Sequence, residues 1–304
     1  MSIGVDTGPV SARPRTAQAD PPLVRVRDLA IDYGSPSLLG ARAKRVVEGV
    51  SFDIRRGETL GLVGESGSGK STTGRVLLRL LPVAEGTVEV DGTDITSYGK
   101  RTPLAYRKQV QAVFQDPSMS LNPRQLVSYA LTSALARHGV SNRAERDRRT
   151  REAFDQVGLQ QAHLERYPTE LSGGQQQRVA IARALVLRPK LVVCDEAVSA
   201  LDLSTQSQII NLLEQLQRET GVSYLFIAHD LGIVRHISDR IAVMRSGRLV
   251  ELAESETLFE RPHHPYTKRL LSATPADRPR GREERRRTRI AYAKAHAEGQ
   301  VPMP

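Results

Sequence analysis

The chain has 304 residues, 39% of them hydrophobic, and 44 Lys and Arg against 34 Asp and Glu give it a formal net charge of +10. That length and apolar content support one large or two modest globular domains with a real core, which excludes a fully disordered chain. No apolar run approaches the roughly 18 residues that cross a bilayer, the N-terminal MSIGVDTGPVSARPRTAQADPP lacks the apolar segment of a secretory signal, and one cysteine allows neither an internal disulfide nor a cysteine-based metal cluster, so a cytoplasmic protein is expected.

Residues 1–22 are rich in Pro, Ala, Gly and Ser without periodicity and predict a disordered tail. The runs LVRVRDLAIDY, RVVEGVSFDI and ETLGLVG then predict strands. GKSTTGRVLLRLL predicts a helix stopped by Pro82, and GTVEVDGTDI a strand ending in an Asp-Gly turn. After one more strand, QVQAVFQ, the texture changes: from about Arg124 to Tyr167 the chain is charged, Ala- and Arg-rich and helix-like, which marks a helical insertion. Strand signals resume at KLVVCDE, VSYLFIAH and RIAVMRSGRLVEL, separated by helical segments at 172–187, 204–219 and 230–237. Such alternation predicts an α/β sheet of parallel strands with helices on both faces. Cys194, inside LVVCDE, reads as a small core residue. The basic run RPRGREERRRTR, Arg278 to Arg289, holds seven arginines and two glutamates and thus half of the excess charge; without interleaved aromatics it predicts a solvated, disordered tail.

Three stretches carry chemistry. Gly64, Glu65, Ser66, Gly67, Ser68, Gly69, Lys70, Ser71 and Thr72 spell GESGSGKST, which fits G-x-x-x-x-G-K-S/T after a predicted strand and before a predicted helix. The glycines let backbone N–H groups ring a phosphate chain, Lys70 reaches the β- and γ-phosphates, and the Ser71 hydroxyl serves Mg²⁺. The apolar run LVVCDE delivers two carboxylates to the end of a buried strand, where α/β sheets place ligands. Asp195 is expected to hold Mg²⁺, usually through water, and Glu196 to act as the general base toward an attacking water. The third stretch, LSGGQQQRVAIARAL, combines an S-x-x-Q capping box, Ser172 with Gln175, and two glycines in the first turn, Gly173 and Gly174. Each glycine costs up to about 1 kcal/mol against alanine, which close approach of a ligand to bare backbone would account for.

These motifs, in this order over about residues 23–275, resemble those of ATP-binding cassette (ABC) ATPases, the motor subunits of transporters. The resemblance implies a P-loop NTPase (RecA-like) α/β core at 23–118 and 168–245 with an N-terminal antiparallel β-subdomain. It also implies an α-helical subdomain inserted at about 119–167, a C-terminal extension at 246–275 and a basic tail at 276–304. It makes VFQDP the Q-loop, with Gln115 contacting Mg²⁺ and the water site, SALD the D-loop, with Asp202, and IAHD the switch loop, with His229 near the γ-phosphate. Tyr33, before the insertion GSPSLLGARAKR, resembles the aromatic that stacks on adenine. Leu171, Ser172, Gly173, Gly174 and Gln175 form the family signature, which contacts the γ-phosphate of ATP held by an opposite, head-to-tail subunit. FQDPSMSLNPR and LFERPHHPYTKRLLSATP resemble segments of the ATPases of peptide and nickel importers, the HPYT extension especially; His263 and His264 read there as turn residues. Two departures stand out: Ala197 where the family usually has Pro, expected to loosen one turn, and no cysteine-containing stretch beyond HPYT.

The resemblance implies ATP and Mg²⁺ as cofactors and a second ABC ATPase subunit and two permease subunits as partners. A solute-binding protein is implied indirectly, as is a position peripheral to the inner face of the cell membrane. An exporter motor, and an ABC ATPase acting on nucleic acid or ribosomes, are the alternatives. The single cassette, the lack of a long heptad arm and the lack of a cysteine set for zinc speak against the last, so no nucleic-acid partner is expected. The transported molecule is not encoded in a subunit that need never touch it.

Overall fold

The computed structural model describes residues 21–33, 44–99, 101–117 and 120–273. The N-terminal tail to residue 20, most of the insertion after Tyr33 and the Arg-rich tail lie outside the described residues.

Two strands open the fold, β1 (Val24–Tyr33) and β2 (Lys44–Ile54), antiparallel with Val24 opposite Ile54. At the start of β1, Val24 and Val26 face inward while Arg25 and Arg27 stay at the surface, the period-2 pattern of a half-buried strand. β3 (Thr59–Val63), α1 (Lys70–Leu77), β4 (Glu85–Val90) and β5 (Thr93–Asp94) follow. β4 pairs with β1, so β2, β1, β4 and β5 form one antiparallel sheet. Asp91 (φ 53°) and Gly92 (φ 75°) turn the chain between β4 and β5, so the predicted Asp-Gly turn closes a short hairpin. The predicted stop of the first helix is wrong: α1 ends five residues before Pro82, where Arg79 adopts φ 56° and its guanidinium donates to Tyr98 O at 2.6 Å.

Next come α2 (Leu104–Gln109) and β6 (Val110–Phe114), and then the predicted insertion, built from α3 (Val127–Arg137) and α4 (Arg143–Gln156) with two 3₁₀ turns. Asn142 caps α4 by accepting the Glu145 N–H. The chain continues through α5 (Gly173–Leu185), β7 (Leu191–Asp195), α6 (Leu203–Thr220), β8 (Ser223–Ile227), α7 (Leu231–Ile237), β9 (Arg240–Arg245), β10 (Arg248–Glu254), α8 (Ser255–Glu260) and α9 (Pro265–Ala273). The second sheet runs β10-β9-β3-β8-β7-β6, parallel except for β10, which returns from β9 through Ser246 and Gly247. RIAVMRSGRLVEL is therefore a hairpin that closes the sheet's edge.

β3, β7 and β8 are buried almost throughout, which is why they read as apolar runs. β7 divides its side chains between two cores. Val192 and Cys194 pack with the insertion, α5 and α6, whereas Leu191 and Val193 pack toward α1 and the antiparallel sheet. Burial pushes the Cys194 thiol up to about 12, as expected of a core cysteine. No helix among the described residues is long and apolar enough to cross a membrane.

Candidate functional site

The loop between β3 and α1 is held by its own lysine. Lys70 Nζ donates to Gly64 O at 2.7 Å and Glu65 O at 2.9 Å, and Lys70 is only 6% exposed. Burial pulls the ammonium pKa down, while Glu196, Asp195 and Glu65 act to keep it charged. Gly64 has φ 149°, and a Cβ there would meet Met244 O at 2.1 Å, so no side chain fits. Ser68 Oγ, in the same loop, is buried and has no hydrogen-bond partner.

β7 brings Asp195 to the same place. Ser71 Oγ, in the first turn of α1, donates to Asp195 Oδ1 at 2.7 Å, which joins two segments 124 residues apart. The next residue, Glu196, sits at φ 52°, in the left-handed region that a non-glycine residue seldom adopts. Its N–H donates to Ile227 O at 2.9 Å, and its carbonyl accepts from Ser199 N at 3.1 Å and Ser199 Oγ at 3.0 Å. His229 Nδ1, just past β8, lies 3.9 Å from Glu196 Oε1. At the turn after the acid pair, Ala197 is buried, and its carbonyl accepts from Gln177 Nε2 at 2.6 Å. Gln177, fully buried in α5, also donates to Phe114 O at 3.4 Å. No motif marks this glutamine in the sequence; it lies on the stripe of α5 that otherwise buries Ala180, Ile181 and Ala184.

The other expected residues fall into three places. Gln115 is exposed directly after β6, whose last residue Phe114 pairs with Asp195, so it stands at the same sheet edge as the acid pair. Tyr33 is 40% exposed, and Arg75 of α1 reaches its hydroxyl at 3.5 Å. In the signature, Ser172 Oγ accepts the Gln175 N–H at 3.3 Å and Gln175 Oε1 accepts the Ser172 N–H at 2.9 Å, so the capping box is complete. Leu171 is buried in the core and does not face outward with Ser172 and Gly173.

The two glycines differ. A Cβ on Gly173 would meet only Leu201 Cδ2, at an ordinary 3.7 Å, whereas one on Gly174 would be 2.6 Å from Thr205 Cγ2. Packing inside the chain therefore accounts for Gly174 without any ligand, and Gly173 alone keeps a bare outward backbone with no internal reason for it. Thr205 belongs to the turn capped by Asp202, whose carboxylate accepts from the N–H and hydroxyl groups of Ser204 and Thr205; these bonds hold its pKa far below the usual carboxylate range. Signature and D-loop are thus packed on each other. Among the described residues no group of three or more His, Cys, Asp or Glu is placed to hold a metal. His263 and His264 instead donate their backbone N–H groups to Glu251 at 2.8 Å and 3.0 Å.

Residues 47–199 match the family model described as ABC transporter, and residues 250–299 match the one described as the C-terminal region of oligopeptide/dipeptide transporters. The glutathione import ATP-binding protein of Salmonella typhimurium is 48% identical over 270 residues, 87% of this chain but only 43% of that protein, so the chain spans less than half of that relative's length. A Brucella ovis protein carrying the name of a peptide import ATP-binding protein is 46% identical over 283 residues, 93% of this chain and 85% of that one. Among solved structures, cbiO1 of Clostridium perfringens, part of the ABC transporter complex cbiONQ, superposes with a TM-score of 0.69 at 28% identity, covering 79% of this chain and 91% of that one. The dimeric ATP-binding cassette MJ0796 bound to ADP and Pi gives 0.66 at 28% identity, covering 76% and 98%. With the loop, the acid pair and the signature placed as described, the chain belongs to the ABC transporter family, as an ATP-binding cassette that carries the oligopeptide/dipeptide C-terminal region.

Proposed function

We propose that the chain is the ATP-hydrolysing motor subunit of an ABC importer for peptides or a related small solute. The observation that carries this reading is the Ser71–Asp195 contact at 2.7 Å, which brings the phosphate-type loop and the acid pair to one sheet edge with Lys70 buried beside them. One hydroxyl and one or two carboxylates form a hard oxygen set that suits Mg²⁺, an ion that takes few protein ligands and completes its shell with water and substrate phosphates.

ATP with Mg²⁺ supplies the phosphoanhydride to be cleaved and neutralises charge on its phosphate oxygens. Gly64 to Thr72 would hold the phosphates, with Lys70 as the fixed cation, and Ser71, Asp195 and Gln115 would hold the metal. Glu196 Oε would orient the water and accept its proton, with His229 beside it. Water attack on a phosphoryl group is a task of positioning and electrostatics, so no covalent intermediate is needed. Tyr33 would stack on the base.

Ser172 and Gly173 face solvent, and Leu203, next to Asp202, is 80% exposed, so this face is suited to complete the site of a second cassette head-to-tail. The insertion offers a cavity of about 760 Å³ lined by Gln125, Leu126 and Tyr129 among others. A cytoplasmic helix of a permease is the occupant that the family reading gives it, which would place the chain at the inner face of the membrane with two permeases and, indirectly, a solute-binding protein. Import is favoured over export by the match at residues 250–299.

The test is a mixing experiment. Gly173→Asp and Glu196→Gln chains should each turn over ATP poorly, while their mixture should regain activity, because one of its two composite sites carries neither lesion. A mixture no more active than the average of its parts would overturn the shared-site reading. Co-purification with two permeases supports import, whereas nucleic-acid-stimulated turnover without permeases would favour the nucleic-acid alternative.

A further inference from the structure

The HPYT segment reaches the loop between β3 and α1. Tyr266, in the first turn of α9, is 2% exposed, and its hydroxyl accepts the Glu65 backbone N–H at 3.1 Å, across 201 residues. The Glu65 carbonyl, one residue's span away, accepts both Lys70 Nζ at 2.9 Å and Ser68 N at 3.2 Å. Glu65 is thereby gripped at both ends, by the C-terminal extension through its N–H and by the phosphate-binding lysine through its carbonyl.

The tyrosine is itself fixed from several directions. Its own N–H donates to His264 Nδ1 at 3.1 Å, and the carboxylate of Glu251 on β10 holds the two preceding backbone N–H groups, so the start of α9 is anchored to the sheet. The Arg245 and Arg269 guanidiniums lie 5.2 Å and 5.9 Å from the ring centroid, within cation–π range. Burial pushes the phenol pKa up, so the hydroxyl stays neutral. A pre-set ring on an anchored helix is a rigid support for the first turn of a loop that must hold its N–H groups in register to bind phosphates.

We infer that Tyr266 is a positioning residue of the ATP site: by accepting the Glu65 N–H it sets the geometry of the phosphate-binding loop, so the C-terminal extension is part of the nucleotide pocket and not an appendage. This rests on the reading that the loop binds ATP. A displacement of α9, by whatever binds the extension, would be transmitted to Glu65 and from there to Lys70.

Tyr266→Phe tests the inference, since it removes one hydroxyl and keeps the ring, its burial and the two guanidinium contacts. Loss of one neutral hydrogen bond of this kind corresponds to a factor of about 3 to 10 in an equilibrium constant. The expected result in the full chain is a rise of that size in Kd and KM for Mg-ATP with kcat little changed, and faster amide exchange in the peptide spanning residues 64–68 while peptides of β1 and β4 stay as protected as before. Unchanged Kd and KM with unchanged exchange in the loop would overturn it. So would a uniform loss of protection and of activity, which would make Tyr266 a packing residue only. Lys70→Ala separates the two readings. If that variant binds ATP as the wild type does, the loop is not the ATP site, and the fault lies in the function reading.

Discussion

Gly173 and Gly174 are neighbours in one helical turn, yet alanine at each should have opposite effects. At Gly174 the new methyl would lie 2.6 Å from Thr205 Cγ2, inside the closest approach carbon atoms tolerate. Thr205 cannot swing away cheaply: it is β-branched, its Oγ1 donates to Asp202 Oδ2 at 2.7 Å, and its N–H donates to Asp202 Oδ1 at 3.0 Å. Overpacking of this kind costs about 2 kcal/mol, offset by up to about 1 kcal/mol of helix propensity, which leaves a net loss of about 1–2 kcal/mol. In a domain of this size that lowers Tm by about 2–8 °C. Thr205→Ser deletes the clashing methyl and keeps the hydroxyl, so the double variant should recover most of the loss. At Gly173 the nearest atom would be 3.7 Å away, so alanine should leave stability unchanged or raise it by up to about 1 kcal/mol. Its ATPase should nonetheless fall, because the methyl would stand between the backbone and the phosphate of the partner cassette. Denaturant unfolding with steady-state ATPase on the wild type, Gly173→Ala, Gly174→Ala, Thr205→Ser and the double variant is the assay. Wild-type stability of Gly174→Ala with no coupling to Thr205→Ser would refute the packing argument, and full ATPase of Gly173→Ala would refute the shared site.

Glu196→Gln keeps shape and removes basicity, so turnover should drop by about 10²–10⁴-fold while Mg-ATP still binds and the dimer persists, read by single-turnover kinetics and size-exclusion chromatography. Gln177→Leu leaves the carbonyl of Ala197, and that of Phe114 at 3.4 Å, without the amide donor but also removes a buried Oε1 that has no partner; unfolding should be easier by about 1–3 kcal/mol, and turnover should fall more than nucleotide affinity because the turn carrying Glu196 loses its tie. The Asp202 carboxylate is held ionised by its cap bonds, so its stabilising effect is present above the ordinary carboxylate pKa and declines as the pH falls below it; Asp202→Ala should flatten the acid limb of a stability-versus-pH curve.

What was legible in the sequence was what is local in it. The loop from Gly64 to Thr72 is contiguous, and the strand ahead of Asp195 and Glu196 announces itself by four buried apolar residues in a row, so both halves of the candidate site can be read without their contact. The capping box at Ser172 is likewise a four-residue pattern. The end of α1 was misplaced because Arg79 adopts a left-handed conformation that its residue type does not advertise. Helices α2 and α8 have six residues each, too few for a helical period to show. Gly174 against Thr205, Gln177 against Ala197 and Tyr266 against Glu65 depend on how segments 20 to 201 residues apart meet. A polar residue on a buried stripe was the one available signal, and only Gln177 gave it.

Cys194 turns this chain into a convenient spectroscopic object. The sequence has a single cysteine, and it is wholly buried in β7 with its pKa raised, so maleimide or methanethiosulfonate reagents meet an effectively thiol-free surface on the folded protein. A cysteine introduced at Leu203, 80% exposed beside the D-loop, would then carry the only spin label or fluorophore of each subunit. Distances between the two labels of a dimer could be followed through nucleotide binding and hydrolysis without first engineering the native residue away.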